Sequence, residues 1–275
     1  MNILGGLYMT MKKTLTLAGN DSSGGAGQAA DLKTFQEHDV YGMAAITSIV
    51  SMKPEGWNHI VNPIDTEIVE RQLDTILSVG VDAGKSGMLG SVEIIELAAK
   101  KFKENKLEKY VLDPVMVCKG EDEVLQPENT DAMRELLLPL SIVTTPNLFE
   151  AWQLAGLDGP IKDIDGMKEA AIKIHELGAR NVVIKGGRTL ENAADLFYDG
   201  KEFTVLEGEK IDTTYNHGAG CTFAAAVTAN LAHGKSPKEA VTNAKQFVNA
   251  AIKHGWELNQ YVGPVMHGAF HKFGK

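Results

Sequence analysis

Apolar and polar positions follow two regular patterns along most of the chain. Short apolar runs bounded by glycine, serine or asparagine predict buried strands, and the segments between them carry apolar residues at helical spacing. Strands that alternate with helices are typical of an α/β protein with a mostly parallel central sheet. The predicted strands cover residues 14–18, 43–50, 83–86, 110–113, 142–145 and 181–185.

The remaining elements are predicted from capping and turn signals. Residues 194–206 carry two short apolar runs around Asp199-Gly200, which predicts a hairpin. Residues 51–59 follow a strand and are predicted to form a loop, where Met52 and His59 either touch a ligand or cover the core. The predicted helices cover residues 26–38 and 65–79, one beginning near Ser91, and one from Ser236 to about His254.

Residues 216–222 read Asn-His-Gly-Ala-Gly-Cys-Thr and run directly into a stretch of small residues. Two glycines in three residues ahead of such a stretch predict a loop that opens a helix, whose first backbone N–H groups are free to bind an anion. We expect Cys221, in the first turn, to point at that anion, which we interpret as a phosphate in transfer. A tight turn that caps a buried helix would give the same local pattern.

The composition narrows the classes of partner. The chain has 275 residues, of which 44% are hydrophobic, so it is long and apolar enough for one large α/β domain over residues 12–275. A net charge of -9 argues against nucleic acid or an anionic membrane surface as a partner. Residues 1–11 are expected to be a disordered extension rather than a secretory signal.

Cysteine usage and the lack of long apolar runs bear on the compartment. The two cysteines, Cys118 and Cys221, are far apart in the sequence and lack metal-ligand spacing, which favours a reducing environment. A disulfide between them is the second interpretation. No apolar run approaches the length of a membrane span. We therefore expect a cytoplasmic protein.

Acidic residues follow several predicted strands, at the positions where parallel sheets form ligand clefts. Asp21 and Asp31 are candidates to bind a polar substrate group, although Asp21 in a cap or turn explains the pattern equally well. Asp113 ends a central strand and is a candidate to hold Mg²⁺ through water. The polar segment around residues 117–124 predicts either a flap or a solvated connector.

Two later strand ends add candidate ligands for a nucleotide and its metal. Asn147 and Glu150 have the spacing of a capping box, and their oxygen atoms also suit a magnesium shell. Residues 185–188 read Lys-Gly-Gly-Arg, which brings basic side chains and open backbone N–H groups together and suits nucleotide phosphates.

Six of these motifs, in order along the chain, resemble the vitamin-kinase branch of the ribokinase superfamily. Within that branch the chain resembles the dual-cysteine pyridoxal kinases, which are close to hydroxymethylpyrimidine kinases. The resemblance runs from about Lys12 to His267. The motifs begin with Gly19-Asn-Asp-Ser-Ser-Gly-Gly-Ala-Gly27 and continue with Lys85-Ser-Gly-Met-Leu89, Asp113-Pro-Val-Met116, Thr145-Pro-Asn-Leu-Phe-Glu150, Lys185-Gly-Gly187 and Gly218-Ala-Gly-Cys221-Thr.

The resemblance implies a ribokinase-like three-layer α/β/α sandwich that transfers the γ-phosphate of ATP to the 5′-hydroxymethyl group of pyridoxal, often as a homodimer. It implies that Asp113, Asn147 and Glu150 organise Mg²⁺. An anion hole is implied at Gly218, Ala219 and Gly220. The implied nucleotide contacts are Lys185, Gly186, Gly187, Arg188, Asp195 and Gly220, and the implied ring pocket comprises Gly19, Asp31, Val50, Met52, Met88 and Val115.

One departure from the superfamily pattern bears on the chemistry. Most ribokinase relatives have an aspartate as general base where this chain has Cys221. A helix N-terminus is expected to favour the thiolate and to lower the pKa of Cys221. A thiol also adds to aldehydes, so the resemblance suggests that Cys221 holds pyridoxal as a hemithioacetal while Cys118 closes over the site, either as its partner or as the base.

Two alternatives to a pyridoxal kinase stay open at this stage. In the pyrimidine kinases a Glu or Gln usually stands in place of Met52 and hydrogen-bonds an amino group of the substrate, which favours pyridoxal here. A hydroxymethylpyrimidine kinase is the second interpretation. A pyridoxal-binding protein without catalytic activity is the third, and the presence of Asn147, Glu150 and Lys185 argues against it.

Overall fold

The computed structural model describes residues 11–116, 127–187, 189–190 and 193–274. Within these residues a nine-stranded sheet forms the middle layer, in the order β3-β2-β1-β4-β5-β6-β7-β8-β9. The strands are β1 (Lys13–Asp21), β2 (Tyr41–Met52), β3 (His59–Pro63), β4 (Ala83–Ser86), β5 (Tyr110–Leu112), β6 (Val143–Thr144), β7 (Val182–Lys185), β8 (Asp195–Tyr198) and β9 (Phe203–Leu206).

The central part of the sheet is parallel from β2 to β7. Antiparallel strands close both edges, with β3 on β2 at one side and β8 and β9 beyond β7 at the other. The parallel strands all present their carboxyl ends at one edge of the sheet. The loops that follow those ends therefore meet in one place, as the sequence pattern predicts.

Helices cover both faces of the sheet. One layer contains α1 (Gly27–Glu37), α7 (Ala219–Ala232) and α8 (Pro237–Lys253), and its core is rich in alanine, which lets α7 approach the sheet closely. The other core is built on larger aliphatic residues. Its layer contains α2 (Thr66–Ser78), α3 (Val92–Glu104), α4 (Pro127–Ala132), α5 (Leu148–Ala155) and α6 (Ile164–Glu176), and a short α9 (Ala269–Phe273) lies near the C-terminus.

The expected fold class, an α/β/α sandwich on a mostly parallel sheet, is confirmed. The predicted helix starts at Ser91 and Ser236 are also correct, since both side chains cap their helices. None of the helices in the described part of the chain combines the length and the apolar character that a bilayer span requires.

The prediction of a loop over residues 51–59 is wrong at both ends. β2 continues to Met52, and β3 begins at His59 and pairs with it, so the two residues lie opposite each other across a hairpin. The sequence signal is weak because β3 is an edge strand whose residues are half-buried or exposed, so it has no continuous apolar run. Residues 1–10, most of the predicted extension, lie outside the described residues.

Candidate active site

The N-terminus of α7 is an open helix start. Gly218 occupies the N-cap position with a φ of 81°, and no side chain caps the first turn. A Cβ atom on Gly218 would lie 1.8 Å from the carbonyl oxygen of Gly25, so only glycine fits where this loop crosses the β1–α1 loop. The Ala219 N–H donates to the Asn216 carbonyl oxygen at 3.2 Å, while no side chain caps the N–H groups of Gly220 and Cys221, so these two are the candidates to bind an anion.

Two cavities meet at this helix start. One has a volume of about 370 Å³ and the other about 300 Å³, and both are lined by Ala219 and Gly220. Asn147, Lys185 and Asn216 also line both cavities. A group bound at the start of α7 is consequently accessible from either side.

The larger of the two lies on the side of β1, β2 and β4, and we call it the acceptor cavity. His217, Gly218 and Cys221 form one wall, with Cys221 in the first turn of α7. Several predicted ring-pocket residues line the opposite walls, namely Gly19, Val50, His59, Met88 and Val115.

Two predicted ring-pocket residues do not line this cavity. Met52 lies at the end of β2, where it pairs with His59, and only His59 reaches the cavity wall. Asp31 is fully buried on α1, where its carboxylate accepts hydrogen bonds from the Thr16 hydroxyl at 2.6 Å and from Lys85. The expected contact of Asp31 with a substrate ring is therefore corrected, because this carboxylate is committed to a partner inside the protein.

Lys85 is a fully buried cation in the wall of the acceptor cavity. Its ammonium lies 3.0 Å from Asp31 and 4.0 Å from Asp113. Burial lowers the pKa of Lys85, but the two carboxylates outweigh that effect and raise it above the ordinary value. Lys85 therefore stays charged and supplies a fixed positive charge next to the start of α7.

The expectation of a thiolate at Cys221 is not met in the unliganded protein. Burial raises the pKa of this thiol to about 12, and Lys85 opposes the rise only in part, while Asp31 and Asp113 add to it. Cys221 is half-buried and lines the acceptor cavity, so it is accessible to a substrate. The direction of the pKa shift favours the neutral thiol in the unliganded protein.

A carboxylate and an imidazole connect the two glycine loops beside Cys221. Asp21 accepts a hydrogen bond from His217 Nε2 at 2.7 Å and from the backbone N–H of Ser23 and Ala26. Burial opposes the charged form, but the hydrogen bonds from His217 and Ser23 hold the pKa of Asp21 below its ordinary value. The Asp21 carboxylate thus fixes the orientation of His217 in the wall of the acceptor cavity.

The smaller cavity lies between β7, β8, α7 and α8, and we call it the nucleotide cavity. Lys185, Gly187 and Asp195 line it, as predicted. Asp195 is buried, accepts a hydrogen bond from Gly186 N at 3.0 Å, and contacts Lys245 Nζ at 2.7 Å. A Cβ atom on Gly186 would lie 2.1 Å from the Ala194 carbonyl oxygen, so this glycine lets β7 and β8 close together rather than lining the cavity.

The candidate metal ligands lie where the two cavities join. Asp113 and Glu150 line the acceptor cavity, and Lys185 Nζ lies 3.3 Å from Asp113. Asn147 and Glu150 also form the capping box of α5, in which Glu150 Oε2 accepts from Asn147 N and Asn147 Oδ1 accepts from Glu150 N. Asn147 and Glu150 can therefore cap α5 and also bind a metal ion, because each side chain keeps further oxygen lone pairs.

These residues fit a magnesium ion held together with phosphates. Burial raises the pKa of Glu150 to about 7, Lys185 opposes the rise, and Asp113 adds to it, so a cation next to the two carboxylates would be stabilising. Mg²⁺ usually takes only one or two carboxylates and completes its shell with phosphate and water. Among the described residues, no cluster of three or more His, Cys, Asp or Glu is suited to hold a metal.

Two predicted site residues lie outside the described residues, and two lysines in the site have no role predicted from the sequence. Cys118 and Arg188 lie outside the described residues. The sequence analysis assigns no role to Lys85 or Lys245, although each carries a recognisable signal. Lys85 interrupts a buried strand and Lys245 interrupts the apolar face of α8, and a charge at either position is costly unless it is paired.

Comparisons with known proteins agree with this geometry. The model of the phosphomethylpyrimidine kinase family matches residues 21–266. The chain is 61% identical to the pyridoxine kinase of Bacillus subtilis (strain 168), over 95% of this chain and 97% of that protein. The crystal structure of an ADP complex of Bacillus subtilis pyridoxal kinase superposes with a TM-score of 0.92 at 60% identity, covering 95% of this chain and 99% of that one.

A second solved structure, the pyridoxal kinase from Staphylococcus aureus in complex with AMP-PCP and pyridoxal, is similar to this chain with a TM-score of 0.91. The two chains are 53% identical, and the match covers 96% of each. A family model that spans most of the chain, together with relatives at this identity and coverage, establishes the family. The chain belongs to the phosphomethylpyrimidine kinase family.

Proposed function

We propose that this chain is a pyridoxal kinase, which transfers the γ-phosphate of ATP to the 5′-hydroxymethyl group of pyridoxal with Mg²⁺ as cofactor. The observation that carries this function is the open N-terminus of α7 at the junction of two cavities, one beside the basic β7 loop and one beside Cys221. Relatives of this chain at 53–61% identity are pyridoxine and pyridoxal kinases, which favours pyridoxal over hydroxymethylpyrimidine as the acceptor.

The transferred phosphoryl group binds at the junction of the cavities. Backbone N–H groups at the start of α7 and the Lys185 ammonium stabilise its charge, which is most of what phosphoryl transfer requires of a protein. Lys185 keeps its charge because Asp113 and Glu150 raise its pKa against the effect of burial. Asp113, Glu150 and Asn147 would hold Mg²⁺, which would neutralise charge on the phosphate oxygens.

Lys185 and Lys245 have different roles at the nucleotide cavity. Lys185 lies at the entrance to the acceptor cavity, where it contacts Asp113. Lys245 lies deeper, donates to the Ala193 carbonyl oxygen at 2.6 Å and pairs with Asp195. Lys245 therefore holds the loop after β7 in place, while Lys185 faces the reacting phosphate.

Cys221 orients the acceptor. The neutral thiol adds across the C=O bond of the aldehyde, so that a carbon–sulfur bond forms, the carbonyl π bond breaks, and the thiol proton passes to the carbonyl oxygen. The product is a hemithioacetal, and its formation is reversible. His217, oriented by Asp21, lines the same wall and limits the positions that the ring adopts. This role of Cys221 is a further part of the proposal.

The acceptor cavity suits pyridoxal better than a pyrimidine that carries an amino group. Met88, Val50 and Val115 give it an apolar wall, and His59 also lines it, whereas Met52 does not. The contact that would recognise an amino group is a Glu or Gln, and the described wall residues include Glu150 only at the metal end. Pyridoxal is therefore the acceptor that this lining favours.

A steady-state assay tests the proposed function. ATP turnover with Mg²⁺ is measured with pyridoxal and with hydroxymethylpyrimidine as acceptors, and the products are identified by ³¹P NMR. Faster formation of pyridoxal 5′-phosphate supports the proposal. Preference for the pyrimidine would assign the chain to thiamine synthesis, and binding of pyridoxal without turnover of ATP would make it a binding protein.

The family resemblance also supports a single kinase domain over residues 12–275 that acts as a homodimer in the cytoplasm. ATP and pyridoxal are small intracellular metabolites, which is consistent with this compartment. Light scattering of the full-length protein after size-exclusion chromatography tests the assembly, because a monomer and a dimer differ twofold in mass. A mass of about 30 kDa rather than about 60 kDa would contradict the dimer.

A further inference from the structure

A cavity larger than either of these two lies outside the site discussed so far. Its volume is about 580 Å³, and it is enclosed by the end of β2, by β3, and by the starts of α2, α3 and α4. It shares only Met88 and Val115 with the acceptor cavity and no residue with the nucleotide cavity. We call it the side cavity.

Two buried hydroxyl groups line the side cavity without using their hydrogen-bonding capacity. Ser48 is 2% exposed and Thr130 is 7% exposed, and neither hydroxyl has a hydrogen-bond partner within the described structure. Other buried hydroxyls are satisfied, including that of Thr47, which donates to the Met88 carbonyl oxygen at 2.7 Å. A buried hydroxyl without a partner is costly, so two of them in one cavity point to an occupant.

The lining defines the chemistry of that occupant. Apolar side chains such as Ile94 make up much of the wall, and the polar lining residues are Thr47, Ser48, Asp65, Thr66, Ser91, Asn129 and Thr130. Asp65 is the one ionisable residue among the described lining residues, so the side cavity has no cation to bind a phosphate. A volume of this size with few polar groups is typical of sites for small organic molecules.

We propose that the side cavity is a second binding site, for a small uncharged molecule with an apolar ring or chain and a group that hydrogen-bonds to Ser48 and Thr130. Met88 couples this site to the acceptor cavity, because the same side chain lines both. A Cβ atom on Gly19 would lie 2.7 Å from both the Met88 Cε atom and the Ser48 hydroxyl, so these two side chains lie against Gly19, which lines the acceptor cavity. Movement of Met88 by an occupant therefore changes the affinity for the acceptor.

A fluorinated probe tests this site directly. Binding of 4-fluorophenol, an uncharged ring with one hydroxyl, is followed by ¹⁹F NMR on the full-length protein saturated with AMP-PCP and pyridoxal, so that the acceptor cavity is filled. We expect saturable binding of one probe per chain. No saturable binding, or displacement of the probe by more pyridoxal, would overturn the proposal.

Two matched threonine variants locate the probe. Thr130→Val keeps the shape of the side chain and removes the unpartnered hydroxyl, so we expect probe affinity to fall about fivefold. Thr228→Val in α7 removes a buried hydroxyl that donates to the Ala224 carbonyl oxygen at 2.8 Å, and probe affinity should not change. Equal probe affinity in the wild type and Thr130→Val would contradict the proposal.

Melting temperatures of the same two variants, measured without probe, give an independent result. Thr130→Val should melt at or above the wild-type temperature, because the methyl group replaces a hydroxyl that makes no hydrogen bond. Thr228→Val should melt below it, because a buried hydrogen bond is lost. A fall in melting temperature for Thr130→Val as large as that for Thr228→Val would mean that the hydroxyl is structural, and would overturn the proposed role.

Discussion

Three helices of this chain start in two ways: two have a side-chain cap, and the third, at the candidate site, has none. α5 and α8 begin with complete capping boxes, Asn147 with Glu150 and Ser236 with Glu239, so side chains satisfy their first N–H groups. α7 begins at Gly218, with no side-chain cap and only small residues in its first turn. The two cavities meet at the start of α7, which is the start that we propose binds the transferred phosphate.

The comparison also shows that an open helix start does not by itself activate a thiol. Cys221 lies in the first turn of α7, yet burial raises its pKa to about 12. The fixed charges around it act in opposite directions, since Lys85 stabilises the thiolate while Asp31 and Asp113 destabilise it. The protonated form of the sulfur is therefore favoured, while the proposed role of the start of α7 is to bind an external anion.

The largest expected effect is on the rate at which Cys221 is alkylated and on how that rate depends on pH. With a pKa of about 12 the thiolate fraction of Cys221 at pH 8 is on the order of 10³-fold below that of a thiol with the ordinary value, because the folded protein holds the proton more tightly. The rate of carboxamidomethylation of the Cys221 peptide, followed by mass spectrometry, should be slow at pH 7 and rise about tenfold per pH unit to beyond pH 9. A rate that levels off below pH 8 would show a reactive thiolate instead.

Gly218→Ala should lower kcat by about 10² to 10³-fold, because the added Cβ atom displaces the loop whose N–H groups stabilise the phosphate. Gly234→Ala is the matched control, since Gly234 follows the other end of α7 with a φ of 84° and a Cβ atom there would meet no other atom within 4 Å. It shares the backbone strain and should keep its kcat. Equal losses of kcat in the two variants would mean that strain in α7, and not the anion site, limits the activity.

Lys185→Met should lower kcat by about 10²-fold, because the charge at the junction of the cavities is lost while the aliphatic part of the side chain is kept. Lys253→Met, which breaks an exposed ion pair with Glu209, serves as the control and should leave kcat unchanged. Steady-state kinetics with pyridoxal give both values. A loss confined to the KM for ATP in Lys185→Met would place this lysine in ground-state binding only.

The two capped helices give the smallest effect and sharpen the contrast with α7. Asn147→Ala and Ser236→Ala should each lower the free energy of unfolding by about 1 kcal/mol, because each removes an N-cap hydrogen bond. Only Asn147→Ala should also lower kcat, since Asn147 lines both cavities. Urea denaturation and turnover on the same samples test this, and unchanged kcat in Asn147→Ala would restrict that residue to capping.

Much of the fold and part of the site are predictable from the sequence. Buried strands such as residues 83–86 and the caps at Ser91 and Ser236 follow from local patterns. Gly218 and Gly220 indicate the proposed anion site because they open the helix that follows them directly in the sequence. The family assignment rests on motifs in order along the chain, and the family model and the relatives confirm it. The choice of pyridoxal over hydroxymethylpyrimidine rests on Met52, which does not line the acceptor cavity, and the support for that choice comes from the pyridoxine and pyridoxal kinases among the relatives.

The rest depends on contacts between distant residues. Asp31 and Lys85 are 54 residues apart, and only the folded chain shows that they neutralise each other instead of meeting a substrate. The residues of the edge strand β3 are half-buried or exposed, so the sequence there has no apolar run that would predict a strand. The pKa of Cys221 depends on burial and on Lys85, Asp31 and Asp113, which only the fold brings close to it, and a local argument from the helix dipole does not include them.

The central claim is that Cys221, at the open start of α7, holds pyridoxal through its aldehyde while the phosphate binds the helix. The most direct test compares kcat/KM of the wild type and Cys221→Ala for pyridoxal and for pyridoxine, which carries a hydroxymethyl group in place of the aldehyde. The account predicts a loss of about 10²-fold or more for pyridoxal and a much smaller loss for pyridoxine. Equal losses for both acceptors would contradict it, because a sulfur that acts without the aldehyde affects them alike.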